Sequence, residues 1–193
     1  YQSGCSDYQC IITGDTLIGD FTYSKIQKSG VEYFVDEWGW CTWVPGYYFN
    51  YYKGAFRNDT INKRVYFHDI NGDTLLYDFD LNLGDTLPIT YTNYFPTNYV
   101  KTIDSILIGD EYHKRFGIAS IYDTTEVYVH LIEGIGSTFG LLCLLFVPFE
   151  FGSTLECFIL NGETLYPDPN YSCNLITRIN NKSNENQIIQ IYP

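Results

Sequence analysis

Val65-Tyr66-Phe67-His68-Asp69-Ile70-Asn71-Gly72-Asp73-Thr74-Leu75-Leu76-Tyr77-Asp78-Phe79 sets two β-rich runs on either side of an Asn-Gly pair. Such a pair is the strongest short-range signal for a hairpin. Both residues accept the positive φ that a type I′ turn demands, and β-branched residues do not. The pattern returns in Leu155-Glu156-Cys157-Phe158-Ile159-Leu160-Asn161-Gly162-Glu163-Thr164-Leu165-Tyr166, where Asn161 follows Asn71 by 161 − 71 = 90 residues. The same offset carries Leu17-Ile18-Gly19-Asp20 onto Leu107-Ile108-Gly109-Asp110, Gly46 onto Gly136 and Phe49 onto Phe139. The sequence therefore predicts two diverged copies of one unit, related by a pseudo-twofold axis.

Working outward from the hairpins, the composition favours strands. The 193 residues are 45% hydrophobic, enough for a sizeable core, and include 19 Tyr, 13 Phe and 3 Trp. Met is absent and Ala occurs only at Ala55 and Ala119, so helix formers are scarce and β formers dense. Two copies of about five strands approach the usual limit of an open sheet. The expected fold is all-β: an antiparallel barrel or a two-sheet sandwich of about ten strands.

One β domain is predicted over residues 1–175, with the first copy at 14–90 and the second at 100–173. Residues 176–187, rich in Asn, Ser and Lys, read as a linker. Residues 188–193 then turn apolar again, as the start of a further module.

The net charge of −12 repels phosphate backbones and anionic membrane surfaces, which argues against nucleic-acid binding. The apolar run Leu141 to Phe149 is too short to span a bilayer. Nothing in the chain calls for a cofactor. If the protein is exported, Tyr1 follows a removed leader.

Six cysteines without zinc-type spacing indicate an oxidising compartment. The predicted disulfide is Cys157–Cys173, which ties the second hairpin to the segment leaving the domain. Cys5 with Cys10 and Cys41 with Cys143 complete the expected set.

Several pieces stand in an order that resembles secreted Bacteroidetes proteins carrying a C-terminal sorting domain for type IX secretion. They are Gly14-Asp15-Thr16, Arg57-Asn58-Asp59, Lys63-Arg64-Val65-Tyr66-Phe67, Leu76-Tyr77-Asp78-Phe79, Leu83-Gly84-Asp85-Thr86 and Ile132-Glu133-Gly134-Ile135-Gly136-Ser137. The final Ile188-Ile189-Gln190-Ile191-Tyr192-Pro193 looks like the first strand of that sorting domain. The resemblance implies an extracellular or outer-membrane-surface location, with the type IX secretion machinery as a partner. It carries over no activity. It also implies a matching glycosylation system that reads Asp, then Ser or Thr, then a small apolar residue or Thr. Six sites fit: Thr16, Thr60, Thr74, Thr86, Ser105 and Thr124. Asp-Thr after Gly is equally ordinary turn chemistry.

Three further sets of residues carry chemistry. Trp38, Trp40, Trp43, Tyr47, Tyr48, Tyr51 and Tyr52 crowd one segment. They form either an aromatic platform for sugar rings or core filling between sheets. A period of two would set Trp38 and Trp40 on one strand face. Glu133, with Asp59 or Asp36, offers the two carboxylates of a glycosidase, although its Gly-rich surroundings suit tight turns. Asp69-x-Asn71-x-Asp73 begins like a calcium loop but lacks the downstream bidentate Glu, since Asp80 holds the twelfth position.

No Gly-x-Ser-x-Gly surrounds Ser137, and His68, His113 and His130 read as strand or surface residues. The leading expectation is a secreted or cell-surface non-enzymatic module for adhesion, glycan binding or surface structure, whose ligand is an extracellular glycan or a surface protein. The alternatives are a secreted hydrolase acting on polysaccharide or peptide, and an accessory subunit docking on a larger surface complex.

Overall fold

In the computed structural model, residues 5–38, 40–94, 96–146, 152–173 and 188–192 are described, with Trp43 and 188–192 described through the backbone alone. The expected linker, 176–187, lies outside these residues. Among them there are twelve strands and no helix. The first five are β1 (Cys5–Ile18), β2 (Phe21–Val35), β3 (Cys41–Asp59), β4 (Arg64–Asp69) and β5 (Gly72–Asp78). Then follow β6 (Asn98–Ile108), β7 (Glu111–Ser120), β8 (Val129–Ile132) and β9 (Gly136–Ser137). The last three are β10 (Thr154–Leu160), β11 (Glu163–Tyr166) and β12 (Ile188–Tyr192).

Local turn chemistry sets the neighbours. Gly19 and Gly109 take left-handed φ values of 57° and 60°, and each opens a two-residue Gly-Asp loop. Ile18 therefore pairs with Phe21, and Ile108 with Glu111. The Asn-Gly turns are not alike. Asn161 (φ 53°) and Gly162 (φ 83°) are both left-handed and link Leu160 to Glu163, as a type I′ turn requires. In the first hairpin Asp69 pairs with Gly72, so the loop is Ile70-Asn71. There the positive φ of 101° falls on Gly72 alone.

All described pairings are antiparallel. The strands form an eight-stranded sheet, ordered β11-β10-β12-β1-β2-β3-β4-β5, and a four-stranded sheet, β6-β7-β8-β9. Neither sheet closes on itself, so the barrel alternative does not hold. The large sheet ends in β11 on one side and β5 on the other, and the remaining strands separate into the second sheet rather than bridging those edges.

One apolar core draws on both sheets. Tyr8, Cys10, Ile26, Phe67 and Leu76 come from the large sheet, and Val100, Phe116, Ile118 and Leu131 from the small one. Burying a Leu, Ile or Phe there is worth about 1.5–3 kcal/mol. The Tyr77 hydroxyl donates to the carbonyl of Leu141 at 2.6 Å, so this deep tyrosine leaves no polar atom unpaired.

Disulfides join Cys157 to Cys173 and Cys5 to Cys41. The second replaces both other expected pairings. Cys5 and Cys10 share the extended strand β1, where five residues span about 17 Å, well beyond disulfide reach. Cys41 is held by Cys5, and Cys143 lies in the core without a disulfide partner. Two disulfides fit a non-reducing environment.

The 188–192 segment, expected to open a further module, is β12 in the large sheet. It lies between β1 and β10, with Gln190 opposite both Gln9 and Cys157.

Candidate functional site: the aromatic arm of β2 and β3

β2 and β3 are the longest strands of the large sheet, and the Cys41 end of β3 extends past β4. β4 pairs only with Ala55–Asp59 of β3. Residues 41–54 of β3 therefore have β2 as their single partner among the described strands. Side chains of a strand alternate between faces, and on this arm both faces carry rings.

The outward face is the one turned away from the core. On it Tyr48 and Tyr52 flank Asn50 and are 50% and 55% exposed. Asn50 Oδ1 accepts from Gln27 Nε2 at 2.7 Å. Beside it Gln9 Nε2 donates to Ser29 Oγ at 3.1 Å. Two exposed phenol rings thus border a row of amides and hydroxyls running across β1, β2 and β3.

On the other face Phe49 packs toward the core and its ring centroid lies 5.8 Å from that of Tyr51. The Lys28 ammonium is 3.5 Å from the Tyr8 centroid and 5.8 Å from that of Phe49. Tyr47 sits opposite Glu32. A hydrogen bond to that carboxylate raises the pKa of its phenol above the usual range.

The tip of the arm is a loop built on Asp36. Its Oδ1 accepts from the amides of Trp38 at 2.9 Å and Trp40 at 2.8 Å, and its own amide donates to the Trp40 carbonyl at 2.9 Å. Trp38 and Trp40 are 78% and 73% exposed. They project from this loop rather than sharing one face of a strand. Asp36 is thereby committed to the loop. For Trp43 the side chain lies outside what is described.

The carboxylate candidates do not assemble. Asp36 lies in the β2–β3 loop and Asp59 closes the far end of the nineteen-residue β3. Asp59 accepts from the amide and side chain of Asn62 in the β3–β4 turn, which holds its carboxyl below the usual range. Glu133 lies in the β8–β9 turn. There its amide donates to the Lys114 carbonyl, and its own carbonyl meets His113 Nδ1 at 2.9 Å.

The calcium triplet is likewise divided. Asp73 pairs with His68 and Asp69 with Gly72, so adjacent pairs place the two carboxylates on opposite faces. Asp69 Oδ1 caps the amide of Asn71 at 2.8 Å. Among the described residues no cluster of three or more His, Cys, Asp or Glu is arranged to hold a metal.

A constellation absent from the sequence-derived candidates spans four strands of the outward face. Asp73 on β5 accepts from the Tyr23 hydroxyl and faces His68 Nδ1 at 2.8 Å, while Arg57 Nε lies 3.7 Å away. Arg57 Nε also donates to Tyr23 Oη at 3.0 Å. The guanidinium lies over the rings of Phe21 (4.4 Å) and Tyr66 (4.0 Å). Tyr23, His68, Arg57 and Asp73 each have a polar partner within the cluster, so it acts as a brace across β2–β5. A two-residue Asn71-Gly72 loop would set Asp73 opposite Ile70, and only the observed register sets it opposite His68, so the cluster had no signal in the sequence.

Of the six Asp-Ser/Thr sites, Thr60, Thr74, Thr86, Ser105 and Thr124 are exposed and Thr16 is half-buried. Their aspartates have structural partners of their own. Asp104, for example, takes both Nε (2.8 Å) and Nη2 (2.7 Å) of Arg115.

Comparison with protein-family models, curated proteins and solved structures finds no match to this chain.

Proposed function

We propose that the protein is a non-enzymatic, extracellular or surface-attached module that binds a neutral polysaccharide through the β2–β3 arm. One observation carries this. Tyr48 and Tyr52 are exposed on one face, with the hydrogen-bonded amides of Asn50 and Gln27 between them. Flat rings cover the apolar faces of sugars, and neighbouring amides exchange hydrogen bonds with hydroxyls. The net charge of −12 favours a neutral glycan over an anionic one. Retention on insoluble neutral polysaccharide, with no soluble sugar released in a parallel hydrolase panel, is the expected result. Release of sugar, or equal passage through every matrix, counts against it.

A second reading, an accessory subunit, draws support from the backbone edge of β3 over 41–54, which no described strand but β2 pairs and which could accept a strand from a partner protein. The resemblance to type IX-secreted proteins supports export, in keeping with the two disulfides. The same proposal includes a two-sheet sandwich descended from two copies of one unit. Its supports are the matching Gly19 and Gly109 loops and the placement of the β4–β5 and β10–β11 hairpins at the two edges of one sheet.

A further inference from the structure

The rings on the core-facing side of the arm are not all in the core. Tyr47, Phe49 and Tyr51 alternate along β3 and share that side. Phe49 packs against the core, yet Tyr47 and Tyr51 are 57% and 45% exposed. Beside them runs the backbone edge that no described strand but β2 pairs. In an antiparallel pair, alternate N–H and C=O groups of the outer strand point away from its neighbour, so such an edge can take another strand.

Edges are ordinarily blunted by charge. Of the other edge strands, β5 carries Asp73 and Asp78, and β6 carries Lys101 and Asp104. From Cys41 to Tyr52 there is no charged residue, so the net charge of −12 is kept off this edge. The order Tyr47-Tyr48-Phe49-Asn50-Tyr51 is also close to symmetric about Phe49, with a tyrosine two residues to either side.

We propose that this edge is the twofold interface of a homodimer, in which 47–51 pairs antiparallel with 47–51 of a second copy about Phe49. An axis normal to the sheet maps each face onto itself, so residues standing opposite each other must come from the same side. Centring on Phe49 meets that condition. It sets Phe49 opposite its own counterpart, Tyr47 opposite Tyr51 of the second copy, and Tyr48 opposite Asn50 of the second copy. Cross-strand aromatic pairs stabilise such a ladder, and the exposed rings of Tyr47 and Tyr51 are covered by each other.

The ladder is short because β4 of each copy holds β3 from Ala55 onward, and Ala55 falls opposite Trp43 of the other copy. There β3 has already left its regular register. Tyr33 pairs with Pro45 and Val35 with Cys41, so 42–44 face Phe34 alone, and a strand bulged in this way bends. Tyr48 and Tyr52 stay on the outward face, where the rows of the two copies lie side by side. The dimer occupies the edge that would otherwise accept a partner's strand, and it forms whether or not the arm binds glycan.

Light scattering on the full chain, from micromolar to millimolar concentration and without sugar, tests the dimer separately from glycan binding. The expected result is a reversible monomer–dimer equilibrium. Tyr47→Lys/Tyr51→Lys sets like charges opposite each other and should weaken association by at least about tenfold. Tyr47→Lys/Tyr51→Glu sets opposite charges there and should restore it. In the wild type, hydrogen exchange at the amides of 47–51 should slow as concentration rises, which tests the interface even if a variant does not fold. A wild type that stays monomeric, or whose exchange is independent of concentration, overturns the proposal. So does a doubly cationic variant as dimeric as wild type, or a folded charge-paired variant that stays monomeric.

Discussion

Asn161 is left-handed and Asn71 is not, although each precedes a glycine and the two stand at the same offset as the matched Gly19 and Gly109 loops. The two hairpins differ by one residue in register at their turns. In the first, the burden of positive φ passes to Gly72 alone. A left-handed conformation costs an ordinary L-residue about 1–2 kcal/mol, and Asn less. Asn161→Ala should therefore destabilise the protein by about 1 kcal/mol. Asn71→Ala, at an exposed loop position, should stay within about 0.5 kcal/mol. Urea midpoints at unchanged slope measure both, and equal losses would refute the register difference.

Much of the architecture could be read from the chain because it rests on local signals. Asn-Gly and Gly-Asp pairs mark the hairpins, and dense β formers mark strands. The failures involve long-range geometry. Cys5–Cys41 joins strands that only the β1–β2–β3 register brings together, and pairing cannot be deduced from spacing. The stretch from Lys53, polar and without a clear strand pattern, continues β3 to Asp59. There Arg57 is satisfied by partners on β2, β4 and β5. The aromatic segment was legible as a candidate site. Its exposure was not, because ring density alone does not separate a platform from a core.

Asp73 gives an acid-limb prediction. Burial opposes its ionisation, but hydrogen bonds from Tyr23 and His68 and the charge of Arg57 outweigh that and hold its pKa below the usual carboxylate range. A carboxyl depressed in the folded state adds stability that is fully present above its unfolded pKa and lost as pH falls through the folded one. Its side chain is 36% exposed, so the contribution is discounted to about 1–2 kcal/mol. Asp73→Asn should be less stable than wild type by that amount at neutral pH. The two should converge as the pH drops below about 4. A gap that persists unchanged into acid would contradict this.

Material from a native host with the implied glycosylation system should carry an O-glycan on at least one of Thr16, Thr60, Thr74, Thr86, Ser105 and Thr124. The five exposed sites come first, since a bulky sugar there displaces only water. Glu163-Thr164, which lacks the Asp, should stay bare. An intact mass equal to that of the bare chain, corrected for disulfides, rules the modification out.

The most direct test of the central claim is the affinity of wild type and of the Tyr48→Ala/Tyr52→Ala double variant for one soluble neutral polysaccharide, by titration calorimetry. Both rings are exposed on the outward face, so the fold should survive with an unchanged denaturation midpoint. Binding should fall by at least about tenfold, or 1.4 kcal/mol. Equal affinity in a folded double variant, or no binding by wild type to any neutral glycan tried, would contradict the account.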